Sequence, residues 1–286
     1  MIDLHVHTTA SDGQYSPSQI VTLAKQAGLK LISITDHDSI NGIKEASQAA
    51  EKEQIHFIPG IEISITYHPG EFHLLGLGIS DPSPSLVTLI TTVQENRILR
   101  NIKIIEKMNE DGIKITWEDL QNEFPDTTIG RPHIASYLQK IGVVKKRQQA
   151  FDKYLAKNRP WYCEKIGANL DEAIMAIIES KGVPVLAHPM SLYVSWGKLP
   201  DTLKEYKDRG IVGIEAFHPG ARMTDCLRLE ETARKLGLFV TAASDFHGEK
   251  IRPDRKLGFT AGKRKIEDKF WNEELGPALK SSIILQ

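Results

Sequence analysis

The chain has 286 residues, 41% of them hydrophobic and 26% charged, a balance that excludes a disordered, fibrous or disulfide-stapled protein. Thirty-six Lys and Arg against 37 Asp and Glu give a net charge of -1, so no global field draws the chain to DNA or anionic lipid, and any anion preference must be local. Cys163 and Cys226 form neither a CxxC pair nor a disulfide framework and read as buried apolar residues in a reducing compartment. No apolar run approaches the roughly 18 residues of a spanning helix, and the N-terminus lacks signal-peptide character. A cytoplasmic protein is expected, with no membrane association and no obligate protein partner evident.

In chain order, residues 1–7 alternate apolar Ile2, Leu4 and Val6 with polar Asp3, His5 and His7, the period of a strand that puts both histidines on one face. A helix is predicted over residues 17–27, ended by Gly28, and then an apolar run over 31–35 stops at Asp36-His37-Asp38. The same pattern recurs at residues 60–64, 72–77, 183–189, 211–218 and 238–247, each with His, Asp or Glu within it or just past it. Helices are expected between them, for example over 41–53 and 222–236. Such alternation implies parallel strands covered by helices, with the site at the strands' carboxyl ends. Seven strands that each bring polar residues to one rim favour a closed barrel over an open sheet.

From about residue 83 to 180 the pattern changes. Leu86, Ile90, Val93, Ile98, Ile102, Ile105 and Met108 share a long helical period, and Trp117 after Thr116 marks a further helix start. A helical insertion is expected here. Only one histidine, His133, lies in it, so it suits substrate recognition better than metal binding. Eight Lys or Arg and the single acid Asp152 lie between Arg131 and Arg159, which reads either as a solvated helix face or as an anion-binding surface.

A single HxH motif is weak evidence of a metal site. Here it is joined by Ser11-Asp12-Gly13, by Asp36-His37-Asp38 and by Ser244-Asp245-Phe246-His247. Imidazole and carboxylate without thiolate suit Zn, Mn or Fe rather than a zinc finger. Paired ions also need a bridging carboxylate, and their common task is phosphoester hydrolysis. Glu62, flanked by Ile61 and Ile63 in a strand, is the candidate bridge, since a buried glutamate must have its charge compensated.

The run His5-Val6-His7-Thr8-Thr9-Ala10-Ser11-Asp12-Gly13, with Thr35-Asp36-His37-Asp38, Gly60-Ile61-Glu62, His73-Leu74-Leu75-Gly76, Ala187-His188-Pro189 and Ser244-Asp245-Phe246-His247, closely resembles the PHP (polymerase and histidinol phosphatase) superfamily of metal-dependent phosphoesterases. The likeness spans residues 1–80 and 183–250. Gly130-Arg131-Pro132-His133 in the insertion makes it most similar to the branch of nucleoside 3',5'-bisphosphate phosphatases and 5'-3' exoribonucleases. The resemblance implies an α/β fold, a distorted seven-stranded β/α barrel formed by residues 1–82 and 181–286, with residues 83–180 as a helical cap that recognises substrate. It also implies two or three divalent ions, Mn, Zn or Fe, with Mg compatible. His5, His7, Glu62 and Asp245 would hold the first ion, Asp12, His37 and His247 the second, and Glu62, His73 and His188 the third.

The implied chemistry is in-line hydrolysis of a small nucleotide or short 5'-phosphorylated RNA. Asp245 and His218 are the catalytic candidates. His218 is equally compatible with a supporting role or a substrate contact, and leaving-group protonation by it or by water stays open. Arg131 is the candidate clamp for a second phosphate, because guanidinium offers two parallel hydrogen bonds, and His133 is placed beside it as a substrate contact. Glu215 is expected either to buttress His218 or to be paired structurally. Asp36 or Asp38 is expected to orient His37, with a helix cap as the alternative for Asp38. His56 and His68 read as surface residues. Three competing readings are histidinol phosphate hydrolysis, amidohydrolase chemistry, and a non-catalytic, metal-stabilised RNA-binding module using Lys145-Lys146-Arg147.

Overall fold

A computed structural model describes residues 1–125 and 127–284 of the chain. Strand β1 (Ile2–Asp3) is shorter than the alternation implies because the chain bends at Leu4, and Val6 makes only an isolated bridge. Helix α1 (Pro17–Gln26) begins where the Ser16 hydroxyl accepts the Gln19 N–H and the Gln19 side chain accepts the Ser16 N–H, a reciprocal cap that satisfies two orphaned donors. Strand β2 (Leu31–Ile34), helix α2 (Ile43–Glu53), strand β3 (His56–Ile65) and strand β4 (Phe72–Leu77) follow.

The expected helical stretch contains α3 (Pro84–Glu110), α4 (Trp117–Glu123), α5 (Arg131–Lys140), the short α6 (Arg147–Ala150) continued by a π-turn over Phe151–Leu155, and α7 (Leu170–Glu179). Ser83, Thr116 and Asn169 cap the starts of α3, α4 and α7 with their side chains. The chain then returns to β5 (Val183–Leu186), α8 (Leu199–Asp208), β6 (Gly213–Phe217), α9 (Met223–Leu236) and β7 (Phe239–Ala242). A two-stranded ribbon, β8 (Phe259–Thr260) and β9 (Arg264–Lys265), and a last helix α10 (Gly276–Ile284) complete it. Among the described residues, no helix is long and apolar enough to cross a membrane.

Strands β1 to β7 form one seven-stranded sheet in sequence order. The His7 N–H donates to the Phe246 carbonyl at 2.9 Å and the Asp245 N–H to the His5 carbonyl at 3.0 Å, which draws the two edges together into a nearly closed barrel. The seam is stitched from inside by buried Asp3, which accepts N–H groups from Ser244 (3.0 Å) and Gly258 (2.7 Å). One strand departs from the expected parallel arrangement: β4 runs antiparallel to both β3 and β5. Only residues 66–71 connect β3 to β4, too few for the helical crossover that a parallel neighbour needs.

The apolar side chains divide into separate clusters. Leu86, Leu89, Ile90 and Val93 of α3 and Ala173, Ile174, Ala176 and Ile177 of α7 join the barrel's own core. A second core, from Ile104 to Trp161, belongs to the middle of the helical stretch alone. Cys226 is buried on the inner face of α9, whereas Cys163 is only half-buried, and both thiols are free.

Gly13 closes the loop that follows β1. A Cβ there would meet the His7 carbonyl oxygen at 2.5 Å and the Thr8 nitrogen at 2.7 Å, so no other residue fits without moving backbone. Gly13→Ala is expected to cost about 1–3 kcal/mol of stability, in the range of overpacked interiors. A urea titration of metal-stripped protein reads this directly, and an unchanged midpoint would show that the loop can yield.

Candidate metal centre

Every strand from β1 to β7 except β6 sends one or more of the nine implied ligands to the same rim. His5 and His7 lie just past β1, His37 just past β2, His188 just past β5, and Asp245 and His247 just past β7. Glu62 sits within β3 and bridges to the His37 backbone. His73 is the second residue of β4; because that strand runs in reverse, its amino end meets the other strands' carboxyl ends. Asp12 comes from the loop after β1, which Asp36 anchors by accepting the Thr8 N–H (2.7 Å), the Thr8 hydroxyl (2.7 Å) and the Ser11 hydroxyl (2.6 Å). Asp38, His188 and Asp245 all have left-handed backbone, with φ of 49°, 27° and 50°, conformations that non-glycine residues keep only where the surroundings enforce them.

Glu62 is the hub. Its Oε1 lies 2.9 Å from His73 Nδ1 and 3.0 Å from His188 Nε2, and its Oε2 lies 2.8 Å from His37 Nδ1 and 3.3 Å from both His5 Nε2 and His7 Nε2. Oε2 nevertheless forms no hydrogen bond of acceptable geometry, nor do buried His7 Nδ1, Asp12 Oδ1 and His37 Nδ1. Close donor atoms without hydrogen-bond geometry are the pattern expected around a cation, since unpaired buried polar atoms are otherwise costly.

The tautomers agree. His5 Nδ1–H donates to Glu215 Oε2 (2.8 Å) and His247 Nδ1–H to the Asp245 carbonyl (2.9 Å), while His188 Nδ1–H donates to Ser191 Oγ (2.9 Å), whose own proton goes to a carbonyl. Assigned from these partners, all three histidines turn an Nε2 lone pair to the centre, as metal-binding imidazoles do. His5 Nε2 and His7 Nε2 are only 3.0 Å apart. Three overlapping groups, His5–His7–Asp245, His7–Asp12–His37–His247 and His37–Glu62–His73, each have donor atoms within 4.8 Å of one another and are able to hold an ion.

The electrostatics demand positive charge. Burial opposes ionisation of Glu62, Asp12 and Asp245, but the surrounding imidazoles outweigh it and hold all three carboxyls well below the usual range. Burial likewise opposes charging His5, yet Glu62 and Glu215 raise its pKa well above normal. His73 goes the other way, to about 4, through burial and the ammonium of Lys165, whose Nζ is 3.0 Å from its Nε2.

Neither flanking aspartate orients the His37 ring. Asp36 holds the Asp12 loop, and Asp38 accepts the Ser64 N–H (2.7 Å) and hydroxyl (2.8 Å) and pairs with Arg97. Asp38 does not cap α2, whose N-cap is Gly42. Glu215 buttresses His5 rather than His218, from which it stands at 3.9 Å. His218 Nδ1 accepts the Gly220 N–H at 3.0 Å, so its proton is on Nε2, which donates to Asp245 Oδ2 at 3.1 Å.

The cluster forms the floor of a cavity of about 500 Å³. Arg131 lines it, with its guanidinium over the Tyr162 ring at 5.8 Å from the centroid. His133 is not among the lining residues: its Nδ1 accepts the Gly130 N–H (3.0 Å) at the start of α5 and its ring packs on Phe124, and burial lowers its pKa to about 4. His56 is exposed and contacts Trp271, and exposed His68 pairs with Glu164.

The sequence reading did not single out Arg97, Arg100, Lys165, Arg252, Arg255 and Glu71, all of which line the cavity. Arg97 and Arg100 carry a legible signal, two arginines at helical spacing on the apolar face of α3. Burial and its cationic neighbours Arg97 and Arg131 lower Arg100 to about 9, and burial with Arg97 lowers Lys165 to about 8. Against these four cations stand two carboxylates: burial opposes the ionisation of both, but Arg97 and Lys165 lower the pKa of Asp38, and His73, Lys165 and Arg131 lower that of Glu71. The wall thus keeps an excess of positive charge.

The PHP domain model matches residues 3–169, so the chain belongs to the PHP domain family, and it is a metal-dependent phosphoesterase. It is 29% identical over 276 residues to a 3',5'-nucleoside bisphosphate phosphatase of Chromobacterium violaceum, covering 95% of each chain. It is 31% identical over 245 residues to a 5'-3' exoribonuclease of Haemophilus influenzae, covering 86% of this chain and 89% of that one. A phosphoribosyl 1,2-cyclic phosphate 1,2-diphosphodiesterase of Eggerthella lenta is 30% identical over 252 residues, covering 86% and 94%. Among solved structures, a protein of Bifidobacterium adolescentis described as a metal-dependent phosphoesterase superposes with a TM-score of 0.84 at 30% identity, covering 96% of this chain and 95% of that one.

An ion that binds only the folded state stabilises it, by about 2.7 kcal/mol at a concentration one hundred times its Kd. Metal-stripped protein should therefore melt at a higher temperature when Mn or Zn is added. Glu62→Gln, which keeps the shape and removes the charge, should lose most of that gain; an equal gain in the variant would remove Glu62 from the centre.

Proposed function

We propose that the chain removes the 3'-phosphate of nucleoside 3',5'-bisphosphates and acts by the same route on short 5'-phosphorylated RNA. Two or three divalent ions, Mn, Zn or Fe, would be held by His5, His7, Asp12, His37, Glu62, His73, His188, Asp245 and His247. The observation that carries this reading is the pairing, in one cavity, of a carboxylate-and-imidazole floor with a wall that holds more cations than carboxylates. The relatives' substrates support it, since a bisphosphate has one phosphate for each region.

When bound, such ions acidify water and neutralise the oxygens of a phosphoryl group under in-line attack. The chain supplies the rest. Glu62 and the Nε2 atoms of His5, His188 and His247 fix the floor. Arg131, placed by the Tyr162 ring, the Leu155 carbonyl (3.4 Å) and Glu71 (3.5 Å), offers its guanidinium to the second phosphate, with Lys165 and Arg100 adding charge beside it. Arg255 is 5% exposed, lines the cavity next to Asp245, and has no hydrogen-bond partner for Nη1, which suits it to the phosphate on the floor. His218 holds a proton at Nε2 against Asp245 and is the protein's own donor on the floor side. The stretch within residues 83–180 acts as the substrate-recognition cap through Arg97, Arg100, Arg131 and Lys165.

The reading is tested by phosphate release from adenosine 3',5'-bisphosphate, using metal-stripped protein before and after adding Mn, Zn or Mg. Activity should return with metal, and no release with any ion would overturn it. Asp245→Asn should abolish turnover with little loss of fold. Arg131→Ala should lower kcat/KM for the bisphosphate by about tenfold to a hundredfold, the worth of hydrogen bonds to a charged group, and should spare a simple phosphate monoester. Equal losses on the two substrates would sink the clamp.

A further inference from the structure

A nucleotide has a third part besides its two phosphates, and the cavity offers only one surface suited to it. Most of the lining is charged or imidazole; apart from Ser191 and Gly220, the exceptions are Pro132 and Phe151 from the helical stretch and Met190 and Tyr193 from the loop after β5. Tyr193 follows His188 by five residues, so one short loop carries both a floor histidine and this ring. Tyr193 is 76% exposed, the most of any large hydrophobic residue named as exposed among the described residues, and its backbone is left-handed, with φ of 54°. Phe151 and Tyr193 also line the adjoining cavity of about 390 Å³, together with Glu71, Arg131 and Lys165. The two rings therefore belong to the lining shared by the two spaces, one from the helical stretch and one from the loop after β5. Among the described residues no other ring or cation stacks on either, whereas the Tyr162 ring has the Arg131 guanidinium over it at 5.8 Å from the centroid.

From this placement we infer that Tyr193 and Phe151 form a nucleobase subsite, in which the base of the substrate stacks on the aromatic wall while its phosphates engage the floor and the cations. The inference rests on the nucleotide reading above and makes it more specific. Every base has an apolar face, so such a wall accepts purines and pyrimidines alike. A phosphoribosyl substrate without a base, of the kind named for the Eggerthella lenta relative, would gain nothing from it. The wall thus distinguishes two substrate classes that the floor alone cannot.

Calorimetric titration of metal-stripped protein with adenosine 5'-monophosphate and with ribose 5-phosphate isolates the base, because the two probes share the sugar and phosphate. Wild-type protein should bind the nucleotide about tenfold more tightly, the scale of one base–aromatic stack. Tyr193→Ala should bring the two probes within about twofold by weakening the nucleotide alone, and Tyr193→Phe should keep the preference. Tyr193 is exposed, so these variants should fold, and Phe151→Ala tests the second ring separately. Equal affinities in the wild type, or a preference that survives both alanine variants, would overturn the subsite. If the Mn-loaded wild type releases phosphate from the bisphosphate while the preference is absent, the subsite alone fails; if it releases none, the nucleotide reading fails with it.

Discussion

A carboxylate sealed from water and ringed by five imidazoles is the constraint on which this architecture depends. Taking an ionised carboxylate out of water costs several kcal/mol even after relaxation, so β3 can carry Glu62 at its buried position only if other strands deliver compensation. The partners come from the segments after β1, β2 and β5 and from β4. Strand order puts β1 and β7 at opposite edges of the sheet, and only closure allows His7 to stack on His247 with ring centroids 4.0 Å apart. Barrel closure and assembly of the centre are thus one event, and the backbone bonds between residues 5–7 and 245–246 serve both.

The reversal of β4 belongs to the same constraint. A parallel β4 would point its carboxyl end to the rim and leave His73 at the far end of the barrel. A six-residue connection makes the strand turn back, and the register pairs His73 with Ser64, next but one to Glu62. The hydrogen bonds behind the histidines act in the same sense: Glu215, Ser191 and the Asp245 carbonyl each occupy an Nδ1 and leave the Nε2 lone pair in place.

Much of this was legible in the sequence, because a strand that ends in His or Asp announces itself by an apolar run followed by polar residues. All seven strands and the helices over 17–26, 43–53 and 223–236 follow such local signals. The direction of β4 was less visible, since apolar runs carry no sign of direction and the only cue was the shortness of the 66–71 link. The roles of Asp38 and Glu215 could not be read locally because their partners, Arg97 and His5, are 59 and 210 positions away. The cationic wall was missed for a related reason: Arg97 and Arg100 on α3 and Lys165 are more than sixty positions apart and meet only in the fold, whereas the dense basic run around Lys145-Lys146-Arg147 drew attention to residues that mostly face solvent. A charge run in sequence describes a surface; a charge cluster in a cavity is made by folding.

Arg97 joins the two halves of the problem. It starts on α3, lines the cavity, and pairs with Asp38, the neighbour of His37. The position of the long helix is therefore tied to the loop that presents a floor imidazole, and the cationic wall cannot drift from the centre without breaking an ion pair that is almost wholly buried. The floor itself is fixed by barrel closure and leaves little room for variation. The start of α5, with Arg131 and Pro132, and the loop bearing Tyr193 carry no such burden, because neither contributes to closing the sheet. Under the proposed function, the fold thus separates the two tasks: the residues that hold the chemistry are tied to barrel closure, and the residues that meet the rest of the substrate are not.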